Sequence, residues 1–416
     1  MTTRHKNNEM ARRIVQIQKG VIGPTPPQSK TFKMKDIGSY AKLPAVYREI
    51  AKNYSSPWLL GPPICDEYIA LIEHMFTEEE ASVVRHLKPF ARKTAEEVAA
   101  AEHRPAEEVR PILESLTHDK HIILSIGTDD VTRYMILPIV PGTFELVLMR
   151  PTKDTLNDWH RKFAELFEEL HETGYMVDYL KYPLPSVRYL PIEQSIEGHP
   201  QALPVDKLEE ILDRFDKFAV GLCQCRMTME VVGKDCGRPL ENCTAFGNVE
   251  YVIREGLMRP AEKKEILEIK REAEASGLVT WMFNHDSPTG INGSCSCCGC
   301  CCHMMRTISE FSMPSMIAPP HLMPKVDSTK CIYCAKCAQA CPMGAFTVDT
   351  KNKTRLHKAE RCVGCGQCVL VCDKEKAITL EAVPNYKMPP KTMRRLLTKL
   401  APNFIKNTYA GWRAHK

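Results

Sequence analysis

The amino-acid sequence predicts an α+β chain of several domains, and three observations carry that expectation. At 416 residues the chain is too long for one small core. Stretches of helical periodicity are interleaved with short runs that alternate or read continuously apolar, so neither element type dominates. Of the 19 cysteines, only Cys65 lies outside residues 223–372, so the metal- or redox-competent side chains are confined to one half of the molecule. A hydrophobic content of 44% with 26% charged residues is ordinary for a globular protein.

Residues 1–63 read as an extended amino-terminal arm. Prolines at 24, 26, 27, 44, 57, 62 and 63 punctuate it, and PAVYREIAKNY is its one helical stretch. Arg12 and Arg13 stand without the apolar run that a twin-Arg or secretory signal requires, and no run approaches the ~18 apolar residues of a membrane span. A cytoplasmic location is therefore expected, where clustered cysteines read as metal ligands before they read as disulfides.

In residues 64–150, FTEEEASVVRHLK, TAEEVAAAEH and PAEEVRPILESLTHDK predict three short helices, the second opened by a capping box of Thr94 and Glu97. HIILSIG and TRYMILP predict a hairpin around GTDD. Three helices followed by a hairpin resemble a winged helix. Its third helix offers Glu107, Glu108, Arg110, Glu114 and Asp119 where a DNA reader would present basic or amide side chains, which argues against nucleic acid as a partner. Residues 151–218 form a helical connector. Leu156, Trp159, Phe163, Leu166, Phe167 and Leu170 recur at helical spacing and read as core, and VDKLEEILDRFDKFAVG predicts a second amphipathic helix leading to Cys223.

Residues 331–341 read CIYCAKCAQAC and residues 362–372 read CVGCGQCVLVC, each C-x2-C-x2-C-x3-C. Over residues 325–383 this resembles the bacterial-type ferredoxin with two [4Fe-4S] clusters. The resemblance implies crossed ligation: Cys331, Cys334, Cys337 and Cys372 on one cluster, Cys362, Cys365, Cys368 and Cys341 on the other. Zinc would be an odd occupant of two successive triplets that each end on a fourth cysteine. Asp373 follows Cys372 where the family usually has proline, a change expected to alter geometry or potential without abolishing ligation. AFTVDT and KTRLHK should pair as one hairpin, and PKVDS with AITLEA as a second small sheet. Ile332, Ala345, Val363 and Ile378 should pack on the clusters and limit water.

Residues 219–324 form a Cys-rich metal-binding domain with Cys223, Cys225, Cys236, Cys243, Cys295, Cys297, Cys298, Cys300, Cys301 and Cys302. Thiolates this dense repel one another and call for cations, so one or two further iron-sulfur clusters are expected; zinc or a thiol-disulfide relay are the alternatives. Adjacent cysteines point in different directions, so the six in SCSCCGCCCH should divide between sites or include spare thiols. Arg226 and Arg238 could add charge stabilisation, and His303 is a candidate ligand. The pair Cys297–Cys298 before Gly299 is similar to the CCG motif of the heterodisulfide reductase family, which implies a noncubane centre. The whole layout resembles a group of ferredoxin-containing proteins of anaerobic bacteria.

Residues 384–416 form a basic amphipathic tail. Lys387, Lys391, Arg394, Arg395, Lys399, Lys406, Arg413 and Lys416 carry the basicity of a chain whose net charge is +5. Met393, Leu396, Leu397, Leu400, Phe404 and Ile405 form an apolar side that Pro402 should interrupt. The tail could pack on its own domain, dock a redox partner protein or touch a membrane surface. The function these features imply is electron transfer by an iron-sulfur protein. Alternatives are an enzyme subunit reducing a small substrate at the central cysteines, or a redox-sensing regulator that uses the winged helix.

Overall fold

The computed structural model describes residues 14–27, 38–89, 91–128, 131–289, 291–313 and 316–414. Arg12, Arg13 and the Asp129–Asp130 tip of the predicted hairpin lie outside them. The chain divides into two compact units: Met1–Ser29 with Tyr182–Phe404, and Lys30–Lys181 with Ile405–Lys416. The amino-terminal stretch is not simply an arm. Strands β1 (Val15–Gln18) and β2 (Val21–Pro24) pair as a hairpin, because Ile14, Val15 and Ile22 are apolar enough to be buried.

The second unit holds α1 (Ala45–Tyr54), α2 (Asp66–Met75), α3 (Glu78–Val84), α4 (Ala95–Glu102) and α5 (Ala106–His118), then β3 (Ile123–Thr128), β4 (Val131–Ile136) and α6 (Asp158–Glu172). The Thr94 hydroxyl accepts from the Glu97 amide at 3.3 Å, and Glu97 accepts from the Thr94 amide at 2.8 Å, which starts α4. A single backbone bridge joins Lys93 to Tyr134 of the two-stranded β3–β4 hairpin. Phe163, Leu166, Phe167 and Leu170 of α6 are buried, as their spacing implies. Cys65 is buried at the start of α2, and burial pushes its thiol up to about 12.

The first unit contains a six-stranded antiparallel sheet. Its strands are β5 (Val187–Tyr189), β6 (Phe218–Leu222), β7 (Glu241–Gly247), β8 (Arg259–Ala261), β9 (Val279–Phe283) and β10 (Ile291–Cys297), in the order β5-β9-β10-β7-β6-β8. Here the expectation of a long helix over VDKLEEILDRFDKFAVG fails. Only Leu208–Leu212 is α-helical, after a 3-10 turn at Pro204–Asp206, and Phe218–Leu222 becomes β6, every residue buried between β7 and β8. Two-sided burial in a sheet outweighs the helical spacing of a short apolar run. Helices α7 (Gln224–Val231), α8 (Lys263–Ala275) and α9 (His303–Ser309) accompany this sheet.

Beyond it, β11 (Leu322–Val326), α10 (Lys336–Ala340), β12 (Phe346–Asp349), β13 (Thr354–His357), α11 (Gln367–Leu370) and β14 (Ile378–Ala382) form the carboxy-terminal domain. β12 pairs with β13 and β11 with β14, as the two hairpin-like segments imply. β2 also joins β12, with Ile22 opposite Val348, which gives a sheet of order β1-β2-β12-β13. The last helix, α12 (Met393–Ala414), runs through Pro402 rather than stopping there. Of its proposed apolar side, Leu396 is buried, but Leu397 and Ile405 are exposed.

Candidate metal centres

Two cavities mark the carboxy-terminal domain. Cys331, Cys334, Cys337 and Cys372 line one, and Cys341, Cys362, Cys365 and Cys368 line the other. The two triplet loops share one backbone solution. Tyr333 (φ 57°) and Ala335 (φ 62°) in the first occupy the positions of Gly364 (φ 70°) and Gly366 (φ 76°) in the second. The left-handed residues curl each loop so that three thiols face inward, and the fourth cysteine comes from the other half of the repeat. Gly364 and Gly366 are required for space as well: a Cβ at Gly364 would lie 2.4 Å from Pro320, and one at Gly366 2.1 Å from the Ser195 hydroxyl.

The cavities differ in exposure. Cys334 is exposed and Cys331, Cys337 and Cys372 are half-buried, whereas Cys365 and Cys368 are buried. Ala345, Val363 and Ile378 are buried, as expected of residues that keep water out. Ile332 is not: it lines the first cavity but is 61% exposed, because that loop lies at the surface. Burial pushes the Cys337 thiol up to about 11 and the Cys362 thiol up to about 12, so a bound cation is needed to hold them as thiolates. Asp373, the residue in the usual proline position, forms an exposed ion pair with Lys336 at 3.8 Å.

The ten central cysteines separate into two groups. Cys236, from the loop after α7, meets Cys298, Cys300 and Cys301 from the loop after β10, and all four sulfurs lie within 4.8 Å of one another. The Sγ separations are 3.9 Å for Cys236–Cys298 and 3.7 Å for Cys300–Cys301, and Arg238 Nη1 donates to Cys300 Sγ at 3.6 Å. Hydrogen bonds from Cys236, Cys300 and Cys301 hold the Cys298 thiol well below its ordinary range.

The other six gather where the central strands β6, β7 and β10 meet the loops and helices that follow them. The β7–β10 register places Ser294 opposite Thr244 and so brings Cys295 beside Cys243, and their thiols touch. Contacts continue from Cys295 to Cys297, to Cys302 and to Cys225. Cys223 lies at the end of β6, close enough to feel the charge of Cys295. His303 Nδ1 stands 3.3 Å from Cys225 Sγ, Gln224 Nε2 donates to Cys243 Sγ at 3.5 Å, and the Tyr189 hydroxyl lies 3.9 Å from Cys302 Sγ.

Buried cations accompany both groups. Arg226, 2% exposed, donates to the carbonyl oxygen of Ser296 and to Asn242 Oδ1. Lys270, also 2% exposed, donates to the carbonyl oxygens of Asn242 and Ser294 and to the Ser296 hydroxyl. Neither Lys270 nor Tyr189 stands out by motif. Lys270 does have a signal: in α8 it occupies the same face as Ile266 and Ala273, a lysine in a core position.

The central thiols and the carboxy-terminal domain are contiguous. A Cβ at Gly299 would sit 1.9 Å from the Pro342 carbonyl oxygen, directly beside Cys341. Cys298, Cys300 and Cys301 share an apolar cluster with Cys368, Ala338 and Phe346, and Ile14 and Val15 of the amino-terminal hairpin complete it.

Comparison with known proteins fits this geometry. A 4Fe-4S dicluster domain family matches residues 324–380. The formate dehydrogenase iron-sulfur subunit of Wolinella succinogenes is 43% identical over 47 residues, 11% of this chain and 23% of that protein. An uncharacterized ferredoxin of Methanocaldococcus jannaschii is 34% identical over 82 residues, 19% of this chain and 52% of that protein. The chain thus spans about a quarter and about half the length of these two relatives. No solved structure matches. Residues 324–380 are a 4Fe-4S dicluster domain, and that domain supports an iron-sulfur protein whose carboxy-terminal part has the capacity for electron transfer.

Proposed function

We propose that the protein relays low-potential electrons between redox partners, entering or leaving at the exposed site of Cys331, Cys334, Cys337 and Cys372. The observation that carries this reading is the graded burial of the two cysteine-lined cavities, with the deeper one set against the central thiols through Gly299 and Pro342. Iron-sulfur clusters held there would supply one-electron chemistry at potentials tuned by exposure and hydrogen bonding. The chain's own residues orient the thiolates, exclude water with Val363, Ala345 and Ile378, and set the deeper site next to the Cys-rich region. The string of six thiols, with Lys270 neutralising charge, suits a further centre on the same path.

The enzyme-subunit reading needs an open central site, and the burial of Cys223, Cys236, Cys243, Cys297, Cys298, Cys300, Cys301 and Cys302 weighs against it. The regulator reading needs a basic helix, but Glu107, Glu108 and Glu114 of α5 are exposed, and Arg110 is already paired with Glu96. The helix-and-hairpin order of residues 64–150 supports a winged-helix-like module for protein contacts. Among the described residues no helix is long and apolar enough to cross a membrane. The partner is a redox protein; the basic tail, with Leu397, Tyr409 and Trp412 exposed, is the candidate docking element, and a membrane surface is the other occupant it would suit.

The test is anaerobic purification followed by iron and sulfide counts and EPR of the reduced protein. At least about eight irons and eight sulfides per chain are expected, with paired cluster signals. Cys334→Ser should disturb one signal and Cys365→Ser the other. A chain that binds fewer than about eight irons after reconstitution, or that low-potential reductants leave unreduced, would sink the relay.

A further inference from the structure

The four sulfurs of Cys236, Cys298, Cys300 and Cys301 are much closer together than a cubane cluster would hold them. One tetrahedral ion with metal–sulfur bonds of ~2.3 Å sets its thiolates ~3.8 Å apart. The separations of 3.7 and 3.9 Å match that edge, and the remaining ones stay within 4.8 Å. Thiolates on the four iron corners of a cubane stand outside a core that is itself several times wider than one ion, so they are spread around a void. The molecule supplies its own comparison. The eight cysteines of the dicluster domain ring two cavities, and among the described residues Cys236, Cys298, Cys300 and Cys301 are the only group of three or more potential ligands drawn this close.

We propose that Cys236, Cys298, Cys300 and Cys301 bind a single tetrahedral metal ion, zinc or mononuclear iron, and that this ion clasps the Cys-rich loop to the dicluster domain.

The sequence permits such a site locally. The amides of Cys301 and Cys302 both reach the carbonyl oxygen of Cys298, at 3.3 and 3.0 Å, and this turn brings Cys298, Cys300 and Cys301 onto one side. Cys295, Cys297 and Cys302 are left to the other thiol group. Four thiolates around a divalent ion carry a net charge of about −2, and two guanidinium groups are at hand to balance it. Arg238 donates to Cys300, and the buried Arg226 lies near Cys236, Cys298 and Cys301. Closing the ion fixes Gly299 between two ligands, and Gly299 is the residue that touches Pro342. Cys236 is thereby tied to the segment carrying Cys341, without any electron passing through a zinc ion.

The site is independent of the relay: loss of the proposed electron transfer would leave it standing, and the reverse also holds. The unaltered chain, purified anaerobically from cells supplied with both metals, is assayed for zinc, iron and acid-labile sulfide, and compared with the Cys300→Ser/Cys301→Ser protein. The expected result is that the variant loses about one metal ion per chain and no sulfide. If the ion is zinc, absorption at the zinc edge of the unaltered chain shows four sulfurs at ~2.3 Å and no neighbouring iron; if it is mononuclear iron, the oxidised unaltered chain shows a high-spin ferric EPR signal distinct from the cluster signals, and neither readout needs a variant to fold. Zinc and mononuclear iron both uphold the proposal and are told apart by these two readouts. Loss of iron and sulfide in equal numbers, an unchanged metal content in the variant, or a zinc edge that shows an iron neighbour would overturn it.

Discussion

His160 shows how one side chain couples this protein to pH. It lies in the first turn of α6, where the Asn157 side chain caps its amide, and its ring Nε2 accepts from Arg150 Nη2 at 2.6 Å. Burial, reinforced by the Arg150 charge, lowers its pKa from 6.5 to about 4. The unfolded chain therefore binds a proton between those two values while the folded chain does not, so stability is full above about pH 6.5 and falls as pH drops toward about 4. Thermal unfolding of the helical unit, followed by far-UV circular dichroism at pH 7 and pH 5, should show a destabilisation of about 1–2 kcal/mol that His160→Gln largely removes. A melting temperature with the same pH dependence in the variant would assign that dependence to other groups.

The elements divide into those the sequence makes legible and those it does not. The capping box at Thr94, the apolar face of α6 and the β12–β13 hairpin follow from local spacing and stand where that spacing puts them, while the long-range β11–β14 pairing was legible only within the stretch that resembles a dicluster ferredoxin. The β6 strand was hidden, because five apolar residues carry no period until a sheet buries both their faces. The central thiol groups were hidden for another reason. Their membership depends on β7–β10 register and on one loop turn, neither of which a cysteine count reveals. The two ligand loops yield a paired prediction. Ala335 is left-handed without being glycine, so Ala335→Gly should be neutral or stabilise by up to about 1 kcal/mol. Gly366→Ala meets both a φ of 76° and the Ser195 hydroxyl at 2.1 Å, and should destabilise by about 2 kcal/mol or more. Anaerobic heat denaturation followed by loss of cluster absorbance measures both; equal effects of the two changes would refute the argument from backbone strain.

For the whole molecule, the gradient of exposure has a kinetic corollary. Cys334 faces solvent while Cys365 and Cys368 do not. Under limiting oxidant or chelator, EPR should show the centre of Cys331, Cys334, Cys337 and Cys372 decaying first, by roughly tenfold in rate, with the other persisting until the domain opens. Simultaneous decay would mean that burial does not separate them. The basic tail obeys no such local logic. Its helix continues through Pro402 despite the amide donor that proline removes from the ladder, and beside it Asn403 Nδ2 donates to the Pro183 carbonyl oxygen.

The β2–β12 pairing also sets an order of manufacture. Ile22 and Val348 are neighbours in the finished sheet but are separated by roughly three hundred residues of chain, a long-range closure of the kind that slows folding. On the ribosome the hairpin of Val15–Pro24 emerges before β12 and must wait, its apolar side uncovered, until the long intervening chain has been made. A ferredoxin domain excised at residues 324–380 would be born without that strand, with one edge of β12 open to pair with any passing chain.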